Sequence, residues 1–205
     1  MNNKRFRAIA NFIYEAGILS KTPRSGLWFL GTGRQTVAEH SLRTAMIGFA
    51  LASMTTKADR NKVVLMCVFH DLGEGRTSDL NYVHQRYGRM AEAQAVKDIS
   101  KSVEFGHEIA GFFREFEAQK TLEAKLAKDA DNLEWIATLR EEEEKGNRKA
   151  AAWAKSALKR LKTSVGRSVA RFLMSTHPDA WWFKPGDRWF VDRKESYRRW
   201  RTDRG

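Results

Sequence analysis

The stretch VFHDLGEG, residues 68–75, sets His70 beside Asp71 and follows them with Glu74, at the end of the apolar run VVLMCVF. Burying such groups costs on the order of several kcal/mol unless they are paired or hold a metal. Read as helix, His70 and Asp71 are neighbours about 100° apart, and Glu74 lies one turn on from His70 on nearly the same face. Imidazole nitrogen and carboxylate oxygen are ligands for Mn, Fe, Co, Ni or Zn. Two more candidates stand elsewhere in the chain, His40 in VAEHS and Asp131 in LAKDADNLEW. Taken singly, each has an ordinary reading: a lone histidine is a hydrogen-bonded core residue, and Asp131 caps or solvates its helix. Taken together, two histidines and two aspartates would satisfy one divalent ion.

Helices must position this set. The chain has 205 residues and only three prolines, and long stretches carry apolar residues at three- and four-residue spacing, which predicts an all-α body. Helices are expected over about 4–18, 37–56, 60–73, 90–118, 120–144, 148–162 and 164–176. SKTPRSGLWFLGTGRQ and GEGRTSDLNYVHQRYG read as irregular loops bordering a pocket. Residues 1–176 form the expected body, and 177–205 a basic, aromatic C-terminal extension packed upon it. The metal site lies between the helices.

The order EHS, HDLGE and KDADNLEW resembles the HD-domain phosphohydrolases, and most closely their 5′-deoxynucleotidase branch. The resemblance covers roughly residues 4–145 and implies an all-helical enzyme that removes the 5′-phosphate from deoxynucleoside monophosphates with one divalent metal ion, Mn, Co, Mg, Fe, Ni or Zn. It implies that His40, His70, Asp71 and Asp131 are the metal ligands and that Glu74 activates the attacking water. Asp79, in RTSDL, then lies in the catalytic and substrate pocket, where it protonates the leaving oxygen or holds the sugar 3′ hydroxyl. Arg24, in TPRSG, engages the phosphate, and Trp28 contacts the sugar or base. A tryptophan stacked in the core is the plain alternative for Trp28. The related readings are a nucleoside triphosphohydrolase and a dinuclear HD oxygenase, for which His84 and His107 are the further ligand candidates. From another class comes a nucleic-acid-binding protein whose HD site is structural.

Charge and composition bound the partners. The net charge of +12 is uneven: residues 146–205 carry 16 Lys and Arg against 5 Asp and Glu, whereas residues 101–145 carry 7 against 12. Such a field favours anionic partners, here a small nucleotide, with nucleic acid on the basic tail as the alternative. Trp181, Trp182, Trp189 and Trp200 alternate with Arg and Lys, and packing on the body is expected of them before base stacking. Lys128 and Asp129 are expected to face solvent, with Leu126, Ala130 and Leu133 turned inward. The resemblance implies a homodimer. The single Cys67 points to a reducing, cytoplasmic setting, and no apolar run approaches the ~20 residues that span a bilayer.

Overall fold

A computed structural model describes residues 3–88, 90–187 and 190. In chain order, α1 (Asn3–Ala16) runs into a 3-10 turn (Gly17–Ser20). There follow α2 (Gly26–Leu30), α3 (Val37–Ser53), α4 (Arg60–Phe69), α5 (Glu74–Thr77), α6 (His84–Tyr87) and α7 (Glu92–Ser102). The order closes with α8 (Gly106–Ala118), α9 (Leu122–Glu144), α10 (Arg148–Leu158) and α11 (Ser164–Ser175). The described residues contain no sheet, only an isolated bridge between Pro23 and Thr36, so the fold is all-α as expected. None of their helices is long and apolar enough to cross a membrane.

The main core forms where α9 packs against α3 and α4. Leu126, Ala130, Leu133 and Ile136 of α9 are fully buried with Val63, Met66 and Cys67 of α4. The α3–α4 contact depends on Gly48, where a Cβ would stand 2.7 Å from Cys67 Sγ and 3.2 Å from Val63 Cγ1. The small residue lets the two helices approach, and so brings His40 of α3 toward His70. A second cluster joins Leu19, Val37 and Leu72 to Val96, Ile99, Ile109 and Phe113.

Helix starts follow local chemistry. Thr36 and Glu39 form a reciprocal capping box at α3, and Asp59, Thr121 and Asn147 cap α4, α9 and α10. Each cap satisfies an N–H that the helix leaves without a partner.

Three expected elements change. The single helix over 90–118 is broken: α7 ends at Ser102, Val103 is extended with its side chain buried, and α8 begins at Gly106. A Cβ at Gly106 would stand 1.8 Å from the Ser100 carbonyl oxygen, so the corner requires glycine. The helix expected to reach residue 73 stops at Phe69, and Glu74 opens a separate short helix after a turn. The two segments read as irregular contain α2, α5 and α6, because local residues such as Leu27 and Leu30 find buried positions.

The chain divides into two compact units, Met1–Met174 and Ser175–Gly205. The first contains every residue of the expected site. Within the second, Trp182, Phe183 and Phe190 pack on one another with ring centroids 5.1–5.9 Å apart, and Trp181 is exposed. Trp189 and Trp200 lie outside the described residues.

Candidate metal centre

Of the four ligating groups expected from the sequence, His40, His70 and Asp131 bring donor atoms within 4.8 Å of one another, and Asp71 stands beside the two histidines. His40 Nε2 lies 3.3 Å from His70 Nε2, 3.3 Å from Asp131 Oδ1 and 3.5 Å from Asp71 Oδ2. His70 Nε2 is 3.2 Å from that same Asp71 oxygen. Three segments converge: the first turns of α3, the end of α4, and the middle of α9.

Hydrogen bonds on the outer nitrogens decide what the rings present inward. His40 Nδ1 is 2.6 Å from Glu134 Oε2 and His70 Nδ1 is 2.8 Å from the Cys67 carbonyl. A carbonyl only accepts, so His70 donates Nδ1–H. Burial alone would raise the Glu134 carboxyl, but the bond from His40 and the charges of His40 and Arg43 hold it down to about 2, so it also accepts. In the neutral rings, both Nε2 lone pairs therefore point into a space already walled by two carboxylates. Burial and Asp71's neighbours set its ionisation: burial opposes the charge, but His70, His40 and Arg24 outweigh it and hold Asp71 well below the usual carboxylate range. Asp131 is held low in the same way, with Lys128 and His40 offsetting burial. Four acceptors with no proton between them require a cation. Without one, a proton serves: burial and Arg24 disfavour charge on His40, yet its bonds to Asp131 and Glu134 raise it to about 9. The donor set thus fits a divalent ion, and an outer partner that fixes the tautomer of a ligating histidine is the usual arrangement of such sites. His40, His70 and Asp131 form the group that could hold it, with Asp71 Oδ2 3.2 Å from His70 Nε2.

Arg24, Glu74 and Asp79 stand beside this group. The loop that carries Arg24 is closed by two backbone bonds, Arg24 N to Gln35 O (2.9 Å) and Val37 N to Thr22 O (2.9 Å). Arg24 Nη1 donates to Asp71 Oδ2 at 3.2 Å, and its Nε lies 3.7 Å from Asp79 Oδ2. Asp79 is locked further by Ser25, whose N–H donates to Oδ2 (2.9 Å) and whose hydroxyl donates to the Asp79 carbonyl (2.8 Å). The residue before it, Ser78, has φ 64° and ψ 159°, a strained conformation for any residue but glycine. Glu74 comes from α5, not from one continuous turn after His70. Its Oε2 is buried without a hydrogen-bond partner. Burial, then the charges of Asp71 and Asp79, push the Glu74 carboxyl up to about 10.

A cavity of about 440 Å³ opens on the cluster, lined in part by Arg24, Asp71, Glu74, Asp79, Lys128 and Asp131. Trp28 does not line it. That residue is 60% exposed, and it borders a neighbouring hollow with its ring T-shaped to that of His84, centroids 6.2 Å apart. Trp135 lines the cavity instead. His84 and His107 are exposed, the first bonded to Asn81 and the second to the Glu104 carbonyl, and the ligating group among the described residues includes neither.

Three functional positions escape a reading of sequence. Glu134 orients His40 and also accepts from Arg43 Nη2 (2.7 Å) and Gln35 Nε2 (2.6 Å), fully buried. Its signal was an acid set between Leu133 and Trp135 on the inward side of α9. Lys128, expected in solvent, lines the cavity, pairs with Asp131 Oδ2 at 2.9 Å and sits over the Phe116 ring. Asp129, also expected in solvent, is fully buried, because it accepts from the backbone of Lys162 and Thr163 and from the Thr163 hydroxyl in the turn before α11.

Comparison with known proteins agrees with this geometry. The family model described as HD domain matches residues 16–172. The 5′-deoxynucleotidase HDDC2 of Dictyostelium discoideum is 31% identical over 113 residues, which span 50% of this chain and 60% of that relative, less than two thirds of its length. The 5′-deoxynucleotidase hdd1 of Schizosaccharomyces pombe is 27% identical over 72% of this chain and 78% of its own. Among solved structures, a conserved hypothetical protein from Pyrococcus furiosus superimposes with a TM-score of 0.70 and 32% identity, over 81% of this chain and 97% of the other. The matched segment runs from the end of α1 into α11 and contains His40, His70, Asp71 and Asp131: the chain belongs to the HD-domain family.

Proposed function

We propose that the chain is a metal-dependent phosphohydrolase that removes the 5′-phosphate from deoxynucleoside monophosphates. The observation that carries this reading is the cluster in which His40 Nε2 lies 3.3–3.5 Å from His70, Asp131 and Asp71, two of whose members, Asp71 and Asp131, line a cavity that also presents Arg24 and Glu74. The names of the similar proteins point to the same substrate class.

Hydrolysis of a phosphate monoester needs charge neutralisation on the phosphoryl oxygens, a nucleophile near pH 7 and alignment with the leaving oxygen. A bound divalent ion supplies Lewis acidity toward phosphate and lowers the pKa of water. Arg24 offers a planar fork of donors, already oriented by Asp71 and Asp79, and its guanidinium takes phosphate oxygens. Lys128 adds a second fixed cation. Glu74 receives the proton of the attacking water. Burial, then repulsion from Asp71 and Asp79, favours its protonated form, and a divalent ion held by the cluster would supply positive charge that offsets the repulsion and favours the carboxylate. Asp79, held by Ser25 and with its carboxyl pushed up by burial, gives a proton to the leaving 5′ oxygen.

The test is orthophosphate release from a panel of nucleoside mono-, di- and triphosphates with Mn, Co, Mg and Zn. Release from deoxynucleoside 5′-monophosphates that stops with chelator is expected. Release only from triphosphates, or activity indifferent to chelator, rejects the reading. The same proposal includes a homodimer. On α3, Leu42, Met46 and Phe49 share one exposed face, and an apolar stripe of this kind calls for a partner. Sedimentation showing only monomer over a wide concentration range removes that part. The buried thiol of Cys67 is consistent with a reducing, cytoplasmic setting.

A further inference from the structure

The cavity that Asp71 and Asp131 of the cluster line is also lined by Tyr82, Arg160 and Lys162, and the phosphate chemistry above uses none of them. Their placement is over-determined. Asp129, fully buried on α9, accepts from the backbone N–H groups of Lys162 and Thr163 at 2.7 Å each and from the Thr163 hydroxyl at 2.6 Å. Gly166 completes the joint, since a Cβ there would stand 2.4 Å from Asp129 Oδ2. The turn between α10 and α11 is therefore clamped to α9 two residues away from Asp131. From this turn, Arg160 Nη1 donates to the Tyr82 hydroxyl at 2.7 Å, and its guanidinium lies 5.2 Å from the centre of the Tyr82 ring. Tyr82 belongs to the segment that also carries Asp79.

Charge supplies the rest of the argument. A phosphate dianion at the cluster already meets a dication, Arg24 and Lys128. Arg160 and Lys162 are two further cations at the same cavity, both exposed to an entering ligand. The Arg160–Tyr82 bond uses one of five guanidinium N–H donors. A monophosphate has no second anion to offer them.

We propose that Arg160 and Lys162 bind a second phosphate group of the substrate, attached to the nucleoside away from the 5′-phosphate that is cleaved. The inference rests on the phosphohydrolase reading and deepens it. The substrate class is then a deoxynucleotide that carries a 3′-phosphate in addition to its 5′-phosphate. That second group is either a terminal monoester or the diester link of a short 5′-phosphorylated oligonucleotide. It remains uncleaved and contributes binding, so it lowers KM more than it raises kcat.

Orthophosphate release separates these statements. Three compounds with one base are compared in the presence of Mn: a deoxynucleoside 5′-monophosphate, its 3′,5′-bisphosphate, and the 5′-phosphorylated dinucleotide. The KM of the bisphosphate or the dinucleotide should be about tenfold below that of the monophosphate at low salt, and the advantage should shrink as salt screens the contact. Whichever of the two is preferred identifies the monoester or the diester. In Arg160→Glu/Lys162→Glu the ratio should fall to one or reverse, and because it is measured within each variant, loss of folded protein does not mimic the effect. Lys159→Glu changes a cation next in sequence that does not line the cavity, and should keep the ratio. Equal KM values in the unaltered protein, or the same collapse in Lys159→Glu, overturn the proposal while leaving monophosphate hydrolysis standing. Release from none of the three compounds overturns both readings.

Discussion

His40 donates its Nδ1–H to Glu134 across 2.6 Å, and both side chains are completely buried. This contact fixes the ring so that Nε2 faces His70, Asp71 and Asp131, and it ties the ligand cluster to Arg43, Gln35 and Thr138 through the second Glu134 oxygen. Glu134→Gln keeps an acceptor but removes the charge. Metal affinity should fall by about 10- to 100-fold with the helical fold retained, as read by metal titration. Unchanged affinity would show that the ring needs no carboxylate behind it.

The same residue gives a pH dependence. Its carboxyl is held down to about 2, against an ordinary value of 4.5, so the unfolded chain binds its proton first as pH falls. Stability from this group is complete above about 4.5 and is lost as pH drops toward about 2. Denaturant midpoints measured across that window should fall less steeply in Glu134→Gln than in the unaltered protein. Parallel curves would contradict the assignment.

Removing a ligand and removing the base should have different signatures. In His70→Ala or Asp71→Ala, metal content and turnover should fall together, because one of four protein ligands is lost. In Glu74→Gln the ligands remain, so elemental analysis should find normal metal while kcat drops by ~10² to 10⁴. Normal turnover in the last variant would assign the water's proton to another group.

Gly48 allows α3 to approach α4. Gly48→Ala places a methyl against Cys67 Sγ and Val63, and overpacking of this kind costs about 1–3 kcal/mol, offset in part by the ~1 kcal/mol that alanine gains over glycine within a helix. Cys67→Ala opens the space, so the double variant should recover most of the loss. Additive effects in a denaturation cycle would mean that the two positions are not in contact.

Every candidate site residue lies within Met1–Met174. A chain ended after Thr176 should therefore still release phosphate from a mononucleotide, with lower stability if the segment after it packs on the body. A truncated chain of undiminished stability, with single-stranded nucleic-acid binding confined to the full chain and steeply dependent on salt, would instead make that segment a nucleic-acid appendage.

What the sequence determined by itself is local in origin. Helical periodicity, capping residues such as Thr36 and Thr121, and the adjacency of His70 and Asp71 ahead of Glu74 are properties of short segments, and they sufficed for the all-α class and for naming candidate ligands. Tertiary structure decided what depends on which helices meet. Asp129 and Lys128 belong to the same charged stretch, KDADN, yet one holds a distant turn in full burial and the other pairs with Asp131 in the cavity. The Lys128–Asp131 pair is local, three residues apart on α9, but the burial of Asp129 by Lys162 and Thr163 and the seat of Lys128 over Phe116 depend on segments distant in the chain. Glu134 is alike: an acid among apolar residues reads as an anomaly until α3 brings His40 and Arg43 to it. The break at Val103 has the same cause, since Gly106 ends the helix only by allowing contact with Ser100, and the energy of that corner comes from Val103 entering a core assembled from other segments. Burying a charge is favourable only with its partner in place, and partners distant in the chain are a property of the fold.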